Sequence, residues 1–440
     1  MWNLTPAKGP VTLFLLLLSI CPIASFGNDL TDFGHKIEPV EVSGHALSSM
    51  MGTTTENIRV YASRNNNLLP IPFQIDQKNA AGDWVWTTIP DSGKRQDVPL
   101  SRGRAFTADD QDPRGVSVFD SNDVLVFMAR DVGNRHTPAR NKSGTVMVEL
   151  EIADPQTGAK GWVYVVHYTS NPPVFEKQRY VTYQETARRV VAPDYELTYS
   201  PEHSVMLDDL KVFGVSILER SRISGKVKAG MGPFTKTMKF DERAIDGYDA
   251  GYINGPIRVI KRSVDHVKIG AGMKSPDVNC DHYYYPWHAE IPMLFSMRFP
   301  VKGVEMLATS RYKNDVFHHA KVPEMAELIR LGSDQSNANR LAGRKDAAWM
   351  GLFGDRLAVV TRIKIPESIS DDFSIAPYLA NDSGQALEAG YSIQTRPDIQ
   401  KGEHVLHSVI LILTDSNAKD TTSRITSLLD SKLHTKATVL

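Results

Sequence analysis

Apolar and polar residues alternate with a period of two along much of the chain. In residues 145–152, Val146, Val148, Leu150 and Ile152 fall on one side while Glu149 and Glu151 fall on the other. This is the pattern of a half-buried strand, whose successive side chains point to opposite faces. Turn formers fill 153–160, including Asp154-Pro155 and Gly158, and 162–168 reads as the returning strand of a β-hairpin. Further strands are predicted at 58–62, 71–76, 84–89, 124–129, 212–218, 257–261, 293–299, 357–363 and 405–413. The last is almost wholly apolar, so it is expected in the middle of a sheet, covered on both faces.

Helical spacing is confined to two places. Residues 324–331 align Met325, Leu328 and Ile329 behind Pro323, and 420–433 align Ile425, Leu428 and Leu429. Many strands with little helix between them predict an all-β chain of two antiparallel β-sandwich regions with a few short covering helices. Asn171-Pro172-Pro173 supplies the boundary, because adjacent prolines cannot continue a sheet ladder. The expected divisions are an N-terminal β-sandwich over 28–170, a larger one over 174–416, and a C-terminal helix and tail over 417–440. The polar, aperiodic stretch 91–115 is expected to be a long surface loop.

The beginning of the chain breaks the alternation. Lys8 precedes an apolar run over 11–23 that ends in Ala24-Ser25-Phe26-Gly27, the arrangement of a secretory signal peptide spanning 1–27. The mature protein is therefore expected in the periplasm or outside the cell. No stretch beyond the leader reaches the roughly 18 apolar residues a membrane span requires, so the mature chain is expected to lack a transmembrane segment. Cys21 follows Leu18-Ser19-Ile20, where a lipid-attachment site would place a small residue in the position of Ile20. Cleavage near Gly27 is accordingly preferred to lipidation of Cys21.

Charge narrows the partners. The 440 residues carry 50 Lys and Arg against 51 Asp and Glu, a formal net charge of −1. Neither sign dominates, so no global field favours nucleic acid, and none is expected as a partner. With Cys21 in the leader, Cys280 is alone in the mature chain, and an internal disulfide is excluded. The fold must be held by burial.

Chemistry concentrates in residues 277–290, which read Asp-Val-Asn-Cys-Asp-His-Tyr-Tyr-Tyr-Pro-Trp-His-Ala-Glu. On one extended strand His282, Tyr284, Pro286, His288 and Glu290 would share a face with Cys280. Tyr283, Tyr285 and Trp287 could offer flat apolar area to sugar rings while Asp281 binds hydroxyls. Cys280, His282 and His288 are transition-metal ligand types, although their spacing matches no recognised zinc motif. Hydrogen-bonded histidines in an aromatic strand are the plain alternative. Asp109-Asp110-Gln111-Asp112 and Asp120-Ser121-Asn122-Asp123 provide oxygen donors suited to calcium, yet lack the glycine and closing glutamate of a calcium loop. Side-chain-capped turns are the preferred reading there. Lys261-Arg262 and Arg188-Arg189 are expected on solvated strand edges. There is no G-x-S-x-G elbow, H-E-x-x-H, phosphate loop, dinucleotide fingerprint or C-x-x-C-H haem site.

Three fragments, Ile71-Pro72-Phe73-Gln74-Ile75-Asp76, Asp123-Val124-Leu125-Val126-Phe127 and Gly255-Pro256-Ile257-Arg258-Val259, are similar to segments of uncharacterised exported bacterial β-sandwich proteins. Some of those resemble mutarotase-like sandwiches linked to polysaccharide breakdown. The resemblance implies a large sandwich and a carbohydrate ligand, and it carries over no catalytic residue.

The expected function is a ligand-binding or accessory module for a poly- or oligosaccharide, with Tyr283, Tyr285, Trp287 and Asp281 at the ligand. One alternative is a polysaccharide lyase or hydrolase, in which His282 or His288 acts as base, Tyr284 as acid and Arg258 as charge neutraliser. A second is a metal-binding periplasmic protein using Cys280, His282 and His288, or Asp120, Asn122 and Asp123. No cofactor is assigned. The donor types admit calcium or a transition metal.

Overall fold

Strand Val124–Met128 is apolar at all five positions and buried at all five. In the computed structural model it forms the middle of a three-stranded sheet, between Pro39–Ser43 and Gln74–Asp76. Leu125 and Phe127 join Val40 and Val42 in a core against Ile58, Val148, Ile152 and Val165. Val124, Val126 and Met128 face the opposite core, with Trp84, Trp86, Ile253, Ile260 and Trp287. A strand covered on both faces requires an unbroken apolar run, which this one has. The structure describes residues 37–89, 117–136, 145–174, 178–229, 236–270, 273–297, 302–313, 315–325, 327–331, 347–365, 371, 373–382, 386–395, 402–414, 421–430 and 432–440.

On one side of this sheet lies a five-stranded antiparallel sheet, in the order His434–Val439, Thr145–Ala153, Lys160–Tyr168, Ile58–Arg64, Asn67–Pro70. The hairpin predicted by alternation is present, with Ala153 opposite Lys160. Its outer neighbour is the C-terminal tail, which pairs Ala437 with Leu150.

On the other side lies a ten-stranded antiparallel sheet. Its main path runs Ile245–Asn254, Val259–Gly270, Val278–Tyr284, His288–Met297, Gly402–Thr414, Leu357–Lys364, Met350–Phe353, His319–Lys321, Ile329–Arg330, and Met273–Lys274 pairs with Val259–Gly270. Gly402–Thr414 is interior to this sheet, as its apolar content predicts. One face packs on two further five-stranded sheets, so that Val259, Tyr284, Val359 and Ile412 share a core with Tyr195, Leu210, Ile375 and Ile393. The other face carries the three-stranded sheet and helix Thr421–Asp430, which inserts Ile425 beside Trp349, Phe353 and Leu411. The fold is all-β, with antiparallel sheets packed in sandwich fashion.

Local departures from the predicted elements have local causes. The described residues of 324–331 form no helix. Residues 322–325 turn, with Met325 N donating to Val322 O at 3.1 Å, and Ile329–Arg330 pairs with His319–Lys321. Pro323 suits a turn as well as a helix start, and Met325 and Ile329 reach the core singly. The strand predicted at 212–218 is interrupted because Phe213 and Gly214 adopt left-handed φ values of 50° and 75° and reverse the chain. Residues 84–89 make isolated bridges at Trp84 and Thr88 in place of a strand. Residues 91–115 and the acidic cluster 109–112 lie outside the described residues.

Candidate functional site: a polar seam across the large sheet

Strands Val278–Tyr284 and His288–Met297 pair Tyr284 with Ala289 and Tyr283 with Glu290. Directly opposed residues share a face, so even-numbered residues change faces across this hairpin. His282 and Tyr284 therefore point to one side of the sheet, and His288 and Glu290 to the other. The single-face expectation for these four residues is corrected by the reversal at 285–287, where Tyr285 N donates to His288 O at 2.9 Å.

The face turned toward the larger core is closed. His282 is buried, with Nδ1 3.0 Å from Tyr199 Oη and 3.1 Å from Tyr284 Oη, and Nε2 3.2 Å from Ser263 Oγ. Burial, then the charge of Lys261, hold its imidazole well below the usual value, so it is neutral. Lys261, 0% exposed, sets Nζ 2.6 Å from Asp249 Oδ1 and donates to Ser204 O at 2.9 Å. Asp265 accepts from Ser204 Oγ, and burial pushes its carboxyl up to about 6. Cys280 is buried beside this cluster, and burial raises its thiol. The expected solvated edge at Lys261-Arg262 is corrected too: both are buried in an interior strand. Arg262 points the other way and makes two short bonds to Asp281 while lying 5.0 Å from the Trp86 ring centroid.

The opposite face holds Arg258, 1% exposed. Its Nε donates to Asp76 Oδ2 at 2.8 Å, and its Nη1 donates to Tyr285 Oη at 2.7 Å and to Glu41. Gln74 Oε1 accepts from the N–H groups of Ile257 and Arg258, both at 3.0 Å, and Gln74 Nε2 donates to Asp76. Gln74 and Asp76 in turn stand opposite Val126 and Val124. The three fragments that carry the sequence resemblance thus meet as one buried latch between the three-stranded and ten-stranded sheets. Gly255 is needed there, because a Cβ at that position would lie 1.9 Å from the Gln74 amide.

From the latch a polar seam runs outward. Tyr285 Oη donates to Glu41 Oε1 at 2.8 Å, and the Glu41 side chain is 47% exposed. The His288 ring stacks on Tyr285 with centroids 4.5 Å apart. Glu290, 34% exposed, lies 3.5 Å from His288 Nε2 and 3.3 Å from His407 Nε2. Although burial opposes it, hydrogen bonds from the two imidazoles hold the Glu290 carboxyl far below the usual carboxylate range. His288 Nδ1 is buried with no hydrogen-bond partner among the described residues.

The remaining predicted residues are placed as follows. Tyr283 is half-buried and accepts from Trp84 Nε1 at 3.1 Å; Trp287 is buried and donates to Asp194 at 3.0 Å. Asp120 Oδ1 caps the N–H groups of Asn122 and Asp123, while the Asp123 carboxylate accepts from Lys78 N and Asp120 N. Cys280 and His282 are across the sheet from His288. Among the described residues, no group of three or more His, Cys, Asp or Glu side chains is arranged to hold a metal ion. Glu41, His407 and Asp249 were not singled out by sequence. His407 interrupts the apolar run 405–413 and so left a local trace, whereas Glu41 is the ordinary polar member of the alternation Val40-Glu41-Val42.

No family model matches the chain, and no curated protein matches it. Among solved structures, a glycosyl hydrolase family 38 protein from Enterococcus faecalis is 7% identical with a TM-score of 0.48, over 92% of this chain and 46% of that one. The α-N-acetylgalactosaminidase NagBb from Bifidobacterium bifidum, in complex with GalNAc, is 10% identical with a TM-score of 0.36, over 54% of this chain and 37% of that one. Slr1438 from Synechocystis sp. PCC 6803 is 7% identical with a TM-score of 0.33, over 56% of this chain and 100% of that one. The chain spans less than half the length of the first two. Likeness of this degree carries no argument about chemistry.

Proposed function

We propose that the protein is an exported carbohydrate-binding or accessory module whose ligand meets the outer seam at Glu41, Glu290 and His407. The observation that carries this reading is the Glu290 carboxylate, ionised and half-exposed between His288 and His407. A fixed carboxylate accepts hydrogen bonds from neighbouring hydroxyls of a sugar, and His407 stands half-exposed beside it. The buried latch fixes Tyr285 and Glu41 in place, so little side-chain freedom is lost on binding. Of the lyase roles, His288 stacks on the Tyr285 that Arg258 bonds, whereas His282 and Tyr284 lie across the sheet, so the acid assigned to Tyr284 is not beside that base or Arg258.

Calorimetric titration with a panel of neutral and acidic oligosaccharides tests the reading. Hydrogen bonds to a charged group contribute about 1.5–3 kcal/mol, so Glu290→Gln is expected to weaken binding by roughly ten- to a hundredfold. Absence of binding across the panel, or parental affinity in Glu290→Gln, would remove the proposal. Export is tested by N-terminal sequencing of the protein recovered from periplasm or medium, where a start near Asn28 is expected.

A further inference from the structure

Away from the seam, strands Lys236–Asp241, Leu218–Ala229, Lys302–Lys313, Ala386–Thr395 and Phe373–Asp382 form a five-stranded sheet, paired in that order. Its inner face sends Ile375 and Ile393 into the core. On its outer face the register aligns a row of mostly short residues across the strands: Ser224 opposite Leu307, Leu307 opposite Ser392, Ser392 opposite Ala376. Longer side chains stand on one flank, where Lys239, Lys226, Glu305 and Gln394 are successive neighbours. On the other flank Tyr378 stands opposite Gly390, which has no side chain to compete with it. The result is an open furrow of about 470 Å³ whose lining includes Lys226, Lys239, Ser392 and Tyr378. Strand spacing of about 4.8 Å gives it a length of roughly 15 Å, enough for a few sugar residues.

The charges in the furrow are unbalanced. Lys226 is opposite Lys239, a like-charge pairing that is unfavourable in an isolated sheet. Glu305, 2.7 Å from Lys226, is the one acidic residue lining the furrow. Lys228 projects beside them at the same end and is exposed. The lining includes two half-buried aromatic residues, Tyr378 and Phe240, and Tyr378 stands beside the hydroxyls of the row. A ring beside hydroxyls suits a pyranose, and the neighbouring lysines suit its carboxylates.

We infer that this furrow is a binding site for an acidic oligosaccharide, with uronate carboxylates at Lys226 and Lys239 and a sugar ring on Tyr378. The inference shares the ligand class of the proposed function but rests on a different sheet. Titration with a galacturonate hexamer, a neutral galactose hexamer and a dT hexamer tests it. The uronate hexamer is expected to bind in preference to both others, and more weakly as salt rises. Lys226→Glu with Lys239→Glu is expected to weaken it at least about tenfold, Tyr378→Ala similarly, and Tyr378→Phe hardly at all. Should Tyr378→Ala fail to fold, the substitution at exposed Lys239 decides the matter alone. Equal binding of the neutral or dT hexamer, or no binding of the uronate, would overturn the inference. If Glu290→Gln abolishes uronate binding while the furrow variants keep it, the furrow is refuted and the seam stands. Loss in the furrow variants with retention in Glu290→Gln refutes the seam instead.

Discussion

Lys261 and Arg262 are adjacent cations that the pleat sends to opposite faces, and each meets its own carboxylate there, Asp249 and Asp281. A buried charge without a partner costs several kcal/mol, so these pairings decide whether the central strand can hold two basic residues. Next to them, Asp265 titrates in an accessible range. Burial raises its folded pKa from 3.8 to about 6, so the native state binds its proton more tightly than the unfolded chain does. Its stabilising contribution is complete below about pH 4 and is lost as pH rises through 6. His282, held low, acts with the opposite sign up to its unfolded value, so only the difference between parent and variant isolates the carboxyl. Asp265→Asn keeps the Ser204 contact and removes the titration. Urea denaturation is expected to show the variant gaining on the parent between pH 4.5 and 6.5, by at most about 1.4 kcal/mol per pH unit. Parallel stability curves would contradict this. The residue types of 277–290 were legible as chemistry, whereas partners such as Glu41, which meets Tyr285, and His407, which meets Glu290, come from strands far away in sequence.

Among the elements, long apolar or alternating runs were read correctly, since each contains its own instruction for one or two buried faces. Short ones were not: the pattern at 324–331 fits a helix face, yet Met325 and Ile329 satisfy the same core from a turn and a two-residue strand. The hairpin of 278–297 shows why a face cannot be counted through a reversal, because one register step exchanges every side chain. Gly255 belongs to this scale, since it lets the loop before strand Val259–Gly270 close against Gln74. Gly255→Ala is expected to displace the Gln74 amide from the N–H groups of Ile257 and Arg258, lowering stability by about 1–3 kcal/mol. A denaturation midpoint equal to the parent's would show that the latch yields freely.

For the whole molecule, the layers are joined by segments distant in sequence. Strand His434–Val439 returns to cover the edge of Thr145–Ala153, crossing the boundary suggested by Pro172-Pro173. Ending the chain after Asp430 uncovers that edge. Faster hydrogen exchange in Thr145–Ala153 and a fall in Tm on the order of a few °C are expected. Unchanged exchange would mean the tail strand adds nothing. The sequence by itself determined the all-β class, the main strands and the identity of the resemblance fragments, because period-two burial is written locally in each strand. Tertiary structure alone decided that those fragments form one latch, that His282 and His288 are on opposite faces, and that Glu290 is clamped by His407. Register and layer order arise from pairings across hundreds of residues, which no local spacing encodes.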